Sequence, residues 1–381
     1  MKDIPHRNTG LVLSGGGARA AYQVGVLKAI SELLPFTTHI NPFPTICGTS
    51  AGAINATVVA AYAQHFKLGM RRLENVWASF HCQQVFHTDL LKLSRNSLRW
   101  LSILLWGRQQ RSIGLLDNTP LAHLLDKVIP YPLIHKAISQ GALNALCVTS
   151  SSYTTGESIS FYQGQPDTPV WRRHRRRGHP AVINSNHLLA SAAIPMVFPA
   201  VKVGHQYFGD GSMRFLSPLS PAVHLGAEKI IVIGVDPVQA PADDFTHPEG
   251  YPTLAEIGGH LLDSIFIDSL DSDLERLNRI NKTLSKVPEK VRRKDFHLKS
   301  IETLVINPSK DLNLIARDHF KDLPKALRFF LKRIGIDGHS GDTVLSYLLF
   351  EKSFTRELIA LGHQDAMEKA DEIRAFYGIN Q

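Results

Sequence analysis

The chain has 381 residues, 44% of them hydrophobic, and carries 42 Lys and Arg against 34 Asp and Glu, for a formal net charge of +8 and a pI near 9.3. This length and apolar content support a large buried core, in one big domain or two smaller ones, and exclude a disordered or low-complexity chain. The basic balance favours anionic partners, either a membrane surface or a nucleic acid. No run reaches the roughly 18 apolar residues of a membrane span, and "MKDIPHRNTG" has too little apolar sequence behind its charges for a signal peptide, so a cytoplasmic protein is expected. Cys47, Cys82 and Cys147 are far apart, odd in number and without the paired spacing of a zinc site; they read as buried thiols.

In chain order, "GLVLSG" (10–15) reads as a short buried strand, and "ARAAYQVGVLKAISELL" as a helix with Tyr22, Val26, Ala29, Ile30 and Leu33 near one face. Between them Gly15, Gly16 and Gly17 present backbone N–H groups with no side chains in the way, beside the positive end of a helix. Such a loop suits a phosphate or an oxyanion. It fits a dinucleotide fingerprint poorly, because the last glycine of G-x-G-x-x-G would fall at Ala20 and Glu32 lies inside the helix rather than at a strand end. No G-K-[ST] follows, which excludes a Walker loop.

Next, "TICGTSAGAIN" (45–55) has a β-branched run, then G-T-S-A-G, then small helix formers. The order is that of a nucleophile elbow, G-x-S-x-G on a sharp strand-to-helix turn, with Gly48 and Gly52 freeing the backbone around Ser50. Ser50 is therefore the candidate nucleophile, and the Gly15–Gly17 loop its candidate oxyanion hole, with Arg19 stiffening the loop or screening charge.

Helical segments run on to about residue 128. One of them, "SLRWLSILLWG" around 98–106, is apolar enough to be core or an interfacial helix that dips into lipid. Two apolar or alternating runs around "TTGE" signal a hairpin. "WRRHRRRGHP" (171–180) then reads as a basic loop, in which Arg172, Arg173, Arg175, Arg176 and Arg177 either fork onto lipid headgroup phosphates or pair with nearby carboxylates. "SNHLLASAA" is a short helix, the two prolines of "IPMVFPAV" stop it, "HQYFGDGSM" puts Asp210 in a glycine-bounded turn after a strand, and "AEKIIVIGV" is a buried strand. The alternation predicts a three-layer α/β/α domain with a mostly parallel central sheet over 8–240. After a loop-like stretch at 236–252, residues 241–381 read as a mainly helical extension packed on that core, with a strand at "SIETLVINP" that rejoins the sheet.

A serine needs a base. His224, His260 and His363 are available by count but stand in no motif, whereas Asp210 in "GDGS" does, and a carboxylate fixed in a glycine turn can take the proton directly. The ordered set G-G-G-A-R at 15–19, G-T-S-A-G at 48–52 and D-G-S at 210–212, with "ASAAIPMVFPAV" before the last, resembles the patatin-like phospholipase family. The resemblance implies a Ser50–Asp210 dyad, with Gly15–Gly17 as oxyanion hole, that cleaves acyl esters of phospholipid or other lipids with no metal and no cofactor. Two departures stand out: D-G-S replaces the family's usual D-G-G or D-G-A, and "MRFLSP" lacks the usual asparagine before proline. Alternatives are a catalytically weak lipid-binding or regulatory module, or an acyltransferase. The basic segment lacks the aromatic-interleaved strands or recognition helix of a nucleic-acid binder, so the expected surface partner is an anionic membrane and not a nucleic acid. Nothing in the composition bears on oligomeric state.

Overall fold

The computed structural model describes residues 8–35, 41–89, 114–214, 217–237, 254–266, 268–288, 299–333, 335–337 and 341–379. The apolar segment at 98–106 lies outside them, as does most of the 236–252 stretch. No helix among the described residues is long and apolar enough to cross a membrane.

The strands are β1 (Thr9–Leu13), β2 (Thr45–Thr49), β3 (Ala145–Ser152), β4 (Ser158–Gly164), β5 (Arg172–Arg173), β6 (Arg176–Pro180), β7 (Val201–Val203), β8 (Gln206–Gly209), β9 (Lys229–Ile233) and β10 (Glu302–Ile306). Before the sheet is crossed again, helices α1 (Ala21–Leu33), α2 (Ala51–Ala61), α3 (Phe66–Trp77), α4 (Cys82–Val85), α5 (Thr119–Val128) and α6 (Pro132–Ser139) follow β1 and β2. Then come α7 (Ser185–Ser191) and α8 (Ser220–His224), and in the C-terminal part α9 (Leu254–Phe266), α10 (Asp268–Ser285), α11 (Leu312–Asp318), α12 (Lys325–Arg333), α13 (Asp342–Leu348), α14 (Lys352–Glu368) and α15 (Ala370–Phe376).

These strands form one mixed sheet in the order β10-β9-β1-β2-β3-β4-β6-β5, with the β7–β8 hairpin attached through β8 to β3. From β10 to β3 every pairing is parallel; β4 turns back antiparallel to β3. The central strands are buried on both faces, which is why they read as continuous apolar runs rather than alternating ones. Successive residues still face opposite layers. Leu11, Leu13, Ile46, Ile231 and Ile233 enter the core shared with α1, α2, α3 and α14, while Val12, Cys47, Cys147, Ile230 and Val232 enter the one under α8 and α10. Cys47, Cys82 and Cys147 are buried free thiols.

The basic segment 171–180 is a hairpin, not the loop its composition suggests. β6 pairs in parallel with β4, and Trp171 is stacked between Tyr162 and His224 at 5.1 and 5.2 Å. Pairing at a sheet edge supplies the backbone hydrogen bonds that the local sequence does not announce.

The C-terminal part shares this framework: β10 extends the sheet beside β9, and α14 crosses α1 at close range. The crossing depends on two glycines. A Cβ at Gly25 would collide with the Ile359 carbonyl oxygen, and one at Gly362 with that of Tyr22. Beside it, the Tyr22 hydroxyl donates to buried Asp365 at 2.9 Å, and Asp365 also accepts from the Ser309 N–H (2.9 Å) and hydroxyl (2.6 Å). Gly362→Ala should therefore destabilise the protein by about 1–3 kcal/mol in urea unfolding. Gly258→Ala in α9, whose added Cβ would meet only Val344 at 3.9 Å, should be neutral or stabilising.

Candidate active site

β1 and β2 end level with one another, Leu13 opposite Gly48, so the glycine loop and the elbow emerge side by side at the C-terminal edge of the sheet. Ser50 has φ 54° and ψ −130°, a strained conformation for a residue with a side chain, at the step from β2 to α2. The flanking glycines are sterically required: a Cβ at Gly48 would strike the backbone of Gly52 and Ala53, and one at Gly52 the carbonyls of Ser14 and Leu13. The strain is held from outside the motif. The Ser50 N–H donates to the Ser191 hydroxyl at 2.9 Å, and that hydroxyl donates in turn to the Thr149 carbonyl at 2.6 Å.

Asp210 follows β8, whose pairing with β3 sets Gly209 opposite Ser151. It is fully buried, its N–H bonds the Ala193 carbonyl at 2.9 Å, and its Oδ1 accepts the Ser212 N–H at 2.9 Å. Gly211 abuts the Thr149 carbonyl, where a Cβ would collide. Burial pushes the Asp210 carboxyl up to about 7, against the lowering effect of the Ser50 hydroxyl and of the Ser212 N–H and hydroxyl. Among the described residues Oδ2 has no hydrogen bond of full geometry. Ser212 fits the turn and adds a hydroxyl to the carboxyl's partners; the next residues of "MRFLSP", 215 and 216, lie outside the described residues.

The three glycines differ. Gly17 has φ +55° and lies so near the Tyr347 carbonyl that a Cβ would collide, and it lines the pocket beside Ser50. Gly16 rests on Val235, and Gly15 lines a separate small cavity with Thr49 and Ser212. Arg19 turns away from Ser50 into a buried cluster. Its guanidinium contacts Asp236 Oδ1 (2.7 Å), Ser346 Oγ (2.8 Å) and Asn313 Oδ1 (2.6 Å) and lies 4.1 Å from the Tyr347 ring centroid. Burial raises the Asp236 carboxyl to about 6 despite Arg19, with Asp263 and Asp271 adding to the rise. A second polar chain braces the loop: Trp77 Nε1 donates to Asn55 (2.8 Å), Asn55 to the Gln23 side chain (3.0 Å), and Gln23 to the Ser14 carbonyl (2.9 Å).

Ser50 and Gly17 open onto a pocket whose other walls are almost wholly apolar, including Ile54, Trp77, Leu121 and Phe198. None of the histidines available by count lines it: His224 stacks on Trp171, His363 pairs with Glu32 at 2.7 Å, and His260 is exposed on α9. The arginine hairpin stands at the same end of the sheet, with Arg176 opposite Ser158 and Ser158 opposite Ser151. Arg172, Arg173 and Arg175 are exposed, and Glu157 lies 3.5 Å from both Arg172 and Arg177. Sequence reasoning missed Ser191, Thr149, Gln23 and Asn55. Only Ser191 carried a signal, being in "ASAAIP" next to the elbow's expected partners.

A family model described as patatin-like phospholipase matches residues 11–223. No curated protein matches the chain. Among solved structures, it is similar to VipD from Legionella pneumophila at 12% identity and a TM-score of 0.38, covering 96% of this chain and 67% of that one. It is similar also to human GIVD cytosolic phospholipase A2, solved with methyl gamma-linolenyl fluorophosphonate, at 10% identity and a TM-score of 0.42; 98% of this chain is covered but it spans only 60% of the human one. ExoU of Pseudomonas aeruginosa, in complex with SpcU, matches at 15% identity and a TM-score of 0.27, covering 89% and 70%.

Two predictions follow from the buried groups. A carboxyl near 7 in the folded state keeps a proton that the unfolded chain, with an ordinary carboxyl near 4, has lost, so Asp210 lowers stability as pH rises from about 4 to 7. Asp210→Asn should match the native chain in melting temperature near pH 4 and exceed it above pH 7. Ser191→Ala removes the partner of two buried backbone groups and should cost about 1–3 kcal/mol in urea unfolding.

Proposed function

The chain belongs to the patatin-like phospholipase family, and from that premise we propose that it is a lipid acyl hydrolase working through a Ser50–Asp210 dyad. The observation that carries the reading is the strained, glycine-flanked Ser50 next to a fully buried carboxyl near 7, with one oxygen left unbonded among the described residues and the serine hydroxyl already acting on its charge.

Ser50 Oγ attacks the ester carbonyl carbon as Asp210 Oδ2 takes its proton. The carbonyl oxygen becomes an oxyanion facing the glycine loop, where Gly16 and Gly17 N–H groups and the start of the following helical turn supply fixed positive dipoles. The C–O bond to the alcohol then breaks, and Asp210 returns the proton to the leaving oxygen. Water repeats the sequence on the acyl-enzyme: Asp210 takes its proton, the hydroxide attacks, and Ser50 leaves with the proton restored. The apolar pocket beside Ser50 takes the acyl chain, because it offers burial and almost no polar group to satisfy.

The exposed arginines at the same end of the sheet turn that end toward an anionic membrane, each contributing about 1 kcal/mol at low salt. Met196, 69% exposed between the pocket residues Ile194 and Phe198, offers an apolar contact to the same membrane. An acyltransferase would use the same dyad with an alcohol in place of water, so the products separate the two.

The test is fatty-acid release from phospholipid vesicles and from a soluble p-nitrophenyl ester. Ser50→Ala should abolish release, and Asp210→Asn should lower kcat/KM by about 10²–10⁴-fold. Because the base works only when ionised, the native kcat/KM should fall below an apparent pKa near 7. Undiminished release by Ser50→Ala would remove the proposal, and an ester product formed with added alcohol in place of fatty acid would select the transferase.

A further inference from the structure

A second pocket lies between β4, β6, α7 and the β7–β8 hairpin and, among the described residues, shares no lining residue with the pocket at Ser50. Its chemistry follows from the pleat. On β6, Arg177 and His179 face it while Gly178 between them is packed on Trp171; on β4, Ile159 and Phe161 form its floor, and on β8, Gln206 and Phe208. His205, from the turn after Gly204, and His187, one helical turn before Ser191, complete it.

The charge balance is one-sided. Arg177, three imidazoles and a glutamine amide line this pocket, and among the described residues no carboxylate does. Glu157 lies at ion-pair distance, 3.5 Å, from the buried Arg177 Nε, which has no hydrogen bond among the described residues, and Glu157 is shared with Arg172. Nor is this a metal centre: among the described residues no three His, Cys, Asp or Glu side chains converge as metal ligands would. Phe161 stands edge-on to His187 at 4.8 Å and to His179 at 5.9 Å, and His187 Nδ1 is hydrogen-bonded to the Asn184 side chain at 2.9 Å. Burial and His179 lower the His187 pKa to about 4, so at neutral pH it serves as an uncharged hydrogen-bonding group.

We infer that this pocket binds a phosphomonoester group. The Arg177 guanidinium, beside imidazoles and an amide approaching from different elements, suits a compact dianion with three acceptor oxygens pointing apart; a carboxylate offers two in one plane. The Ile159, Phe161 and Phe208 floor takes the first carbons of the attached alcohol. The group can reach the pocket on a lipid headgroup or as a soluble phosphate ester.

Binding is read in the full chain carrying Ser50→Ala, so that it stands apart from hydrolysis. Co-sedimentation is measured with phosphatidylcholine vesicles containing either phosphatidic acid, a phosphomonoester, or phosphatidylglycerol, a phosphodiester, at matched surface charge, with soluble glycerol 3-phosphate as competitor. The expected result is about a tenfold preference for phosphatidic acid, the size of one added charge-assisted hydrogen bond. The double variant His179→Gln, His205→Gln should lose that preference with an unchanged melting temperature, while Arg172→Gln with Arg173→Gln should weaken both vesicle types alike. Competition by glycerol 3-phosphate supports the site with soluble esters included, and preference without competition supports it for the headgroup alone. Equal binding to both vesicle types, or a preference that survives the histidine variant, overturns the inference.

Discussion

One backbone carbonyl, that of Thr149 in β3, is the point on which the candidate dyad is hung. It accepts the Ser191 hydroxyl that holds the Ser50 N–H, and it abuts Gly211, the residue after Asp210. Nucleophile and base come from segments 160 residues apart, the difference between 210 and 50, yet each is referred to the same atom of a central strand buried on both faces. A rigid reference of this kind is what a dyad needs, because with no third group to orient the base its position must come from the backbone.

The glycine loop is held by a different device. Arg19 leaves the loop and enters a cluster supplied by the segment after β9 and by α11 and α13, so the loop is tied to parts of the chain up to 328 positions away. From the other side, Trp77, Asn55 and Gln23 pass hydrogen bonds from α3 through α2 and α1 to the Ser14 carbonyl. A glycine-rich loop has the largest conformational entropy to lose on folding, and such braces offset it. They also make the C-terminal helices part of the framework around the site: α13 presents the Tyr347 carbonyl to Gly17, and α14 is interlocked with α1.

Burial sets the chemistry and works against stability at the same residue. Asp210 sits where solvent cannot favour its charged form, and that raises its basicity toward the working range of a general base. The two pockets divide in character: the one at Ser50 is apolar and suited to a hydrocarbon chain, the other is lined by Arg177 and imidazoles and suited to an anion.

Much of this was legible in the amino-acid order. The glycine loop, the elbow between strand and helix, the hairpin around "TTGE", the Asp210 turn and the strand at 302–306 all rest on local signals, since a tight turn demands glycine and a twice-buried strand demands an apolar run. The arginine segment has the local composition of a loop, because its strands exist through pairing with β4, which no local residue encodes. The same reason hid Ser191, Thr149, Asn55 and the destination of Arg19: each acts through a partner distant in sequence, and a hydroxyl, an amide or a guanidinium says what it can bond but not to what. The residue types thus determined which groups could do chemistry, and only the tertiary structure decided which of them meet and how far burial moves their proton affinities.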